Sequence, residues 1–294
     1  MTQFLQATIN GLLQGGLFAL VALGFSLVWG VMNIVNIAHG ALAIGGAYVA
    51  WKLTGSAGLD PWLAMLASAA ALFVIGYALQ RGLINLVVNA PIWMTLLLTF
   101  GLQLLIVNGL TIWFSADFRS IPMSYAASGF SLGPVRLPYG RLLGFGLALG
   151  LTFLLATFMA RTRTGRAIKA TGMDRSTARL MGVDVRHIYA LTFGISAALA
   201  AVAGTMTGIV GTFSPVGAGS LTLRSFVVSV LGGLGNMWGA LAGGLVLGVV
   251  EAWGGQYLSG ALVNAIAFGV LVLVLIVRPS GLLGRPFYEA RVEA

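Results

Sequence analysis

The sequence contains no cysteine. Disulfides, thiol nucleophiles and thiolate metal sites are therefore excluded. Charge is nearly missing as well. Only 16 basic and 7 acidic residues occur among 294, or 8% of the chain, against about 25% in a soluble domain. A soluble fold of this length needs a charged skin, and this chain cannot supply one. Disorder is excluded too, because 59% of the residues are hydrophobic and disordered segments are poor in such residues. No charge occurs between Met1 and Trp51, and only Glu251 between Ser225 and Val277. Both stretches exceed the roughly 20 residues of a membrane-spanning helix. No basic residue precedes Lys52, so the n-region of a cleaved signal peptide is missing and the first apolar segment is expected to remain.

Catalytic patterns are absent in the same way. The two histidines, His39 and His187, lie far apart, and there is no HExxH, GxSxG or P-loop pattern and no close carboxylate pair within a span. No catalytic residue, metal site or cofactor is expected in this chain. The net charge of +9 does not point to nucleic acid, because seven of the 16 basic residues sit between Arg161 and Arg186. That clustering is how a cytoplasmic loop reads under the positive-inside rule.

What is present is a series of apolar segments, near 6–30, 34–52, 61–80, 93–115, 139–160, 188–211, 236–254 and 258–278, with a shorter piece at 222–235. Lipid offers an open backbone no partner, so each span must be helical. The expected fold is an all-α polytopic membrane protein: one transmembrane domain over 1–294, with about eight crossings. Placing the 161–187 loop in the cytoplasm puts 11 basic residues inside (Arg81, seven in the loop, Arg278, Arg285 and Arg291) and five outside (Lys52, Arg119, Arg136, Arg141 and Arg224). The N-terminus is then outside and the C-terminus cytoplasmic. The 222–235 piece fits this count as a re-entrant half-helix turning back at Gly232, Gly233 and Gly235, a form tolerated where it is buried or lines a cavity.

Glycine is abundant, at 42 residues, with four-residue spacings at Gly11/Gly15, Gly146/Gly150, Gly204/Gly208 and Gly235/Gly239/Gly243. Such spacings ordinarily serve close helix packing. In the 232–244 cluster a second reading applies: Gly232, Gly235 and Asn236 mark a broken helix beside a translocation path. The segments Gly40–Gly46 (GALAIGG) and Gly239–Gly244 (GALAGG) resemble each other, which hints at a duplicated unit.

Polar groups at lipid depth are few and are functional candidates by default. Asn33, Asn36 and His39 recur every three residues, which on a helix puts them on one face. Two readings stand for them, with equal weight: a polar stripe along a solute path, or groups that fix helix packing. Glu251 reads as a side chain snorkelling to the outer interface. Acids buried mid-span are missing, which argues against an ion-driven carrier. In the basic loop, Asp174 can cap a short helix from Arg175 to Met181 that Gly182 stops. Two turns are unstable alone, so this helix either docks on a partner or lies as a solvated loop against lipid headgroups.

Several stretches resemble, in order, the LivH-type permease subunits of branched-chain amino-acid ABC importers. They are Gly16–Val49 with its NIAHG core, Gly165–Val185, Tyr189–Gly208, Val230–Ala252 and Arg278–Pro286. The resemblance covers essentially the whole chain. It implies a second, LivM-type permease, two cytoplasmic ABC ATPases and an external solute-binding protein, in a bacterial inner membrane. It also implies that Gly165, Arg166, Ala170, Ala178 and Gly182, with Asp174 between them, form the coupling loop seated on the ATPase. Asn36, His39 and Gly40 match the signature of the second span. Ala41 stands where many relatives carry an acid, and permeases of this type also serve urea and short amides. A stand-alone channel for a small polar solute is the reading from another class.

Overall fold

The structure is a computed structural model that describes residues 2–88, 90–124, 126, 128–132, 135–258 and 262–284. Arg285 and Arg291, placed inside by the charge count, lie outside the described residues. The fold is all-α, as expected, and its architecture starts from α1 (Thr2–Met32). In the most apolar window of α1, 89% of positions are buried. A helix that is apolar all round belongs in the middle of a bundle, and α1 is the central post.

The chain leaves α1 at Asn33, whose φ of +54° is left-handed, and residues 33–38 are not helical. Only then does α2 (His39–Ala57) begin. Next, α3 (Pro61–Leu79) passes through a π turn (Gln80–Ile84) into the short α4 (Asn85–Val87). The long α5 (Ile92–Phe114) follows, then a hairpin of β1 (Gly129–Leu132) and β2 (Val135–Pro138), then α6 (Tyr139–Arg161). Two short helices, α7 (Arg163–Met173) and α8 (Arg175–Leu180), precede the long α9 (Val185–Val210). Last come α10 (Ala218–Gly232), α11 (Met237–Tyr257) and α12 (Val263–Val277).

Burial sorts these helices into an inner and an outer set. In α9, 72% of the window is buried, whereas Pro61–Val87, α5 and α6 reach 28% at most. The outer helices expose large apolar side chains such as Val74, Leu105, Ile112 and Trp113, which suits lipid and not water. By length and hydropathy seven helices can cross a membrane among the described residues, one of them the piece Pro215–Gly232. The piece expected at 222–235 is thus longer than a half-helix of that extent. Two expected crossings fall short of the same measure: α2, with Lys52 near its end, and α12, whose apolar part is Ala265–Val277.

The inner helices meet backbone to backbone. Gly11 and Gly15 of α1 face Gly244 and Gly248 of α11; a Cβ built on Gly15 would lie 2.6 Å from Gly244 O, and one on Gly248 would lie 2.3 Å from Gly11 O. Residues ascending in α1 meet residues descending in α11, so the two run antiparallel. Only side-chain-free surfaces approach this closely. Gly146 and Gly150, spaced in the same way, have nothing within 4 Å of their missing Cβ atoms. Among the described residues their spacing packs no helix.

Candidate functional site

Two regions collect the candidate residues: the basic end of the bundle, and the joint between α1 and α2. At the basic end the short helix is where the sequence puts it. Asp174 Oδ1 accepts the N–H groups of Ser176 (2.8 Å) and Thr177 (3.2 Å), and the hydroxyls of both residues also donate to the carboxylate. The Ser176 side chain first, then Thr177 and the two N–H groups, hold the Asp174 carboxyl well below the usual carboxylate range. The stop is a paired cap. Gly182 has φ +83°, its N–H reaches Arg179 O (3.0 Å), and the Val183 N–H reaches Ala178 O (3.1 Å). Such a turn needs a left-handed residue after the helix, and glycine adopts that conformation without strain.

The six coupling candidates separate by burial. Arg166, Ala170, Asp174 and Gly182 are exposed, while Gly165 and Ala178 are buried. Gly165 holds the bend between α6 and α7, where a Cβ would meet Phe158 O at 2.2 Å. The sequence reading missed α7 as a helix, though Gly165, Ile168 and Thr171 on one buried face and Thr162 as its cap were a usable signal. It also missed the apolar residues at the tip of this region. Met173, Leu180 and Met181 are 75%, 87% and 79% exposed among the basic side chains. They sit at the charged end, and no described residue covers them.

The joint between α1 and α2 corrects the helical stripe. Asn33 and Asn36 lie in unwound backbone and His39 is the first residue of α2, so the three do not share a helix face. Threonines distant in sequence stabilise this unwinding. Thr99 Oγ1 of α5 accepts the Ile37 N–H (3.2 Å) and donates to Val35 O (3.1 Å). Thr222 Oγ1 of α10 accepts the Gly40 N–H (2.9 Å) and lies 2.9 Å from Ile37 O. Buried backbone groups must find partners, and here side chains replace the missing helix ladder. Gly40 is crowded against α10, its Cβ position 2.0 Å from Ala218 O.

His39 is fully buried, with Nε2 2.8 Å from Val21 O and the Phe25 ring edge-on at 5.8 Å. A carbonyl only accepts, so Nε2 carries the proton, and Nδ1 has no partner among the described residues. Asn36 is 1% exposed, and neither polar atom of its side-chain amide is hydrogen-bonded among the described residues. Asn33 is exposed and lines a cavity of about 470 Å³ at the basic end, together with Asp174, Arg175 and Tyr189.

Gly30 links the two regions. The Cβ position of Gly172, near the end of α7, is 2.9 Å from Gly30 O, and that of Gly30 is 2.7 Å from the Gly235 Cα. Gly233 (φ +105°) and Gly235 (φ +80°) make the turn between α10 and α11. Asn236 caps α11 through the Gly239 N–H (3.0 Å) and donates to Leu283 O (2.6 Å). Gly232 and Gly239 abut, with a Cβ position 2.0 Å from the facing carbonyl. The end of α1 is therefore held between α7 and the glycine turn. Glu251 does not snorkel alone: it pairs with Arg224 (3.6 Å), which belongs to α10 and not to an outer loop, and whose guanidinium lies 4.8 Å over Phe18.

An all-α bundle of apolar helices, with unwound backbone held inside it, is the architecture of a polytopic membrane protein. The particular family follows from comparison with known proteins. The family described as "Branched-chain amino acid transport system / permease component" matches residues 7–275, and the chain belongs to it. It is 35% identical to the high-affinity branched-chain amino acid transport system permease protein BraD of Pseudomonas aeruginosa, over 97% of each chain. It is 32% identical to the corresponding permease LivH of Escherichia coli K12, again over 97% of each. A solved structure, PsaBC from Streptococcus pneumoniae in complex with Fab, shares the fold with a TM-score of 0.51 at 13% identity, over 99% of this chain and 95% of that one.

Proposed function

We propose that the chain is the membrane-spanning permease of an ATP-driven importer for branched-chain amino acids. It acts as one permease unit in a bacterial inner membrane, beside a second, LivM-type permease. An external binding protein delivers the solute, and two ABC ATPases on the basic end supply the energy, so this chain hydrolyses nothing itself. The N-terminus is outside and the basic end cytoplasmic, in line with the positive-inside rule.

The observation that carries this reading is the capped helix α8 with its bare Leu180 and Met181. Six residues do not hold a helix alone. Caps at both ends stabilise it, and two uncovered apolar side chains favour burial in a partner's groove. When the ATPases close, α8 moves, and α7 moves with it. The Gly172–Gly30 contact passes this to the end of α1, and from there to the unwound residues 33–38 and the Gly235 turn. The joint of α2 and α10 around Gly40 then shifts, and the buried Asn36 and His39 border the opening path. The test is transport by the reconstituted complex. Leucine uptake that needs both ATP and binding protein supports the reading; uptake that persists with ATP hydrolysis abolished indicates a stand-alone channel.

A further inference from the structure

The cavity at the basic end has two walls that belong to different parts of the mechanism. One is the coupling segment, with Asp174 and Arg175. The other is the end of α1 and the start of the unwound joint, Val31 to Ile34. At about 470 Å³ it lies within the roughly 300–1,000 Å³ of small-molecule sites. We propose that this cavity binds a zwitterionic amino acid with an aliphatic side chain, and that the bound molecule ties the coupling segment to the joint.

The polar groups define the ligand. Arg175 and the Tyr189 hydroxyl are in hydrogen-bond contact, and both line the cavity. Arginine carries five N–H donors in a planar fork and grips a carboxylate through two of them. The ammonium group has its own partners. Helix α1 ends at this wall, and a helix C-terminus carries a partial negative charge. The Asn33 N–H, bonded to Trp29 O (2.9 Å), extends the helix ladder by one step, and the chain then turns away at the left-handed Asn33. Asp174 adds a full negative charge that its cap keeps ionised. A simple anion or cation satisfies one half of this set and opposes the other; a molecule bearing both charges satisfies both. Val31, Ile34, Val88 and Ile92 are among the other lining residues, alongside Thr95 and Thr171, and the four apolar ones suit a branched aliphatic side chain.

The consequence is regulatory and rests on the function proposed above. Solute that has accumulated on the basic side occupies the cavity, restrains the movement of α7–α8 and slows further import. Two measurements test this. In the first, the intact complex in nanodiscs, without binding protein, is titrated with radiolabelled L-leucine. Saturable binding is expected; leucinamide and N-acetylleucine should compete about tenfold or more weakly than unlabelled leucine, and Arg175→Gln and Tyr189→Phe should weaken leucine binding by a similar factor, the size of a lost charge-assisted hydrogen bond. Absence of saturable binding, or binding unchanged in both variants with both blocked analogues competing as well as leucine, overturns the site.

In the second, L-leucine is sealed inside proteoliposomes and the initial rate of ATP-driven uptake is compared with that of empty vesicles of the same variant. Internal leucine is expected to slow the wild type several-fold and to lose this effect in Arg175→Gln. An equal rate with and without internal leucine in the wild type overturns the regulatory role. Failure of all ATP-driven uptake would instead count against the importer reading, and the nanodisc titration would still decide the site.

Discussion

Replacing Leu180 and Met181 together by serine perturbs the proposed docking tip without touching the bundle. The two side chains are 87% and 79% exposed, so their loss removes almost nothing from the fold. Whatever the substitution costs falls on the interface. Burying a leucine or methionine side chain contributes about 1.5–3 kcal/mol. Ordering the contact offsets part of this, leaving about 2–4 kcal/mol for the pair. At about 1.4 kcal/mol per tenfold, affinity for the ATPase subunits should fall by about 30- to 700-fold. The assay titrates labelled ATPase onto the permease complex in nanodiscs and follows leucine uptake in parallel. Insertion and thermal stability should match the wild type. Unchanged ATPase affinity in a folded double variant would refute α8 as the docking element.

Gly182→Ala meets no atom within 4 Å, so only the left-handed backbone resists it. That costs about 1–2 kcal/mol and should speed amide exchange across Arg175–Val183; an unchanged exchange pattern would contradict the cap. Gly172→Leu crowds the contact with Gly30, an overpacking of about 1–3 kcal/mol, and should leave ATP hydrolysis running while transport falls. Asn36→Leu removes an amide whose atoms have no partner, relieving a burden of about 1–3 kcal/mol. Melting temperature should hold or rise while uptake drops, whereas normal uptake would assign Asn36 to packing. The Asp174 carboxyl titrates lower in the folded chain than in an unfolded one, so its capping contribution is complete above the unfolded value and is lost only as pH falls toward the folded one. Amide exchange in α8, corrected for intrinsic rate, should therefore be level from pH 8 to 5, and Asp174→Ala should raise it throughout; a change centred near neutrality would contradict this.

Which features could be read from the sequence depended on how far apart the interacting residues lie. Asp174, Gly182 and the helix between them are local, since a cap and its stop are set within nine residues. The long apolar runs gave the crossing helices for the same reason. The unwinding at 33–38 was hidden because a three-residue spacing of polar groups imitates a helix face. The hydroxyls that satisfy the open backbone come from Thr99 and Thr222, on helices that adjoin it only in space. The Arg224–Glu251 pair was hidden likewise: each residue alone looked like a charge near the surface. Even the four-residue glycine spacing was ambiguous. Gly11 and Gly15 meet glycines of α11, while Gly146 and Gly150 meet open space, and nothing local distinguishes the two pairs.

The measurement closest to the central claim is ATP-driven leucine uptake by proteoliposomes holding this chain, its second permease and the ATPases, with binding protein supplied outside. The account predicts uptake that requires ATP and the binding protein together and that collapses in the Leu180→Ser, Met181→Ser double variant. Uptake at the same rate without ATP, or in that variant, would contradict it.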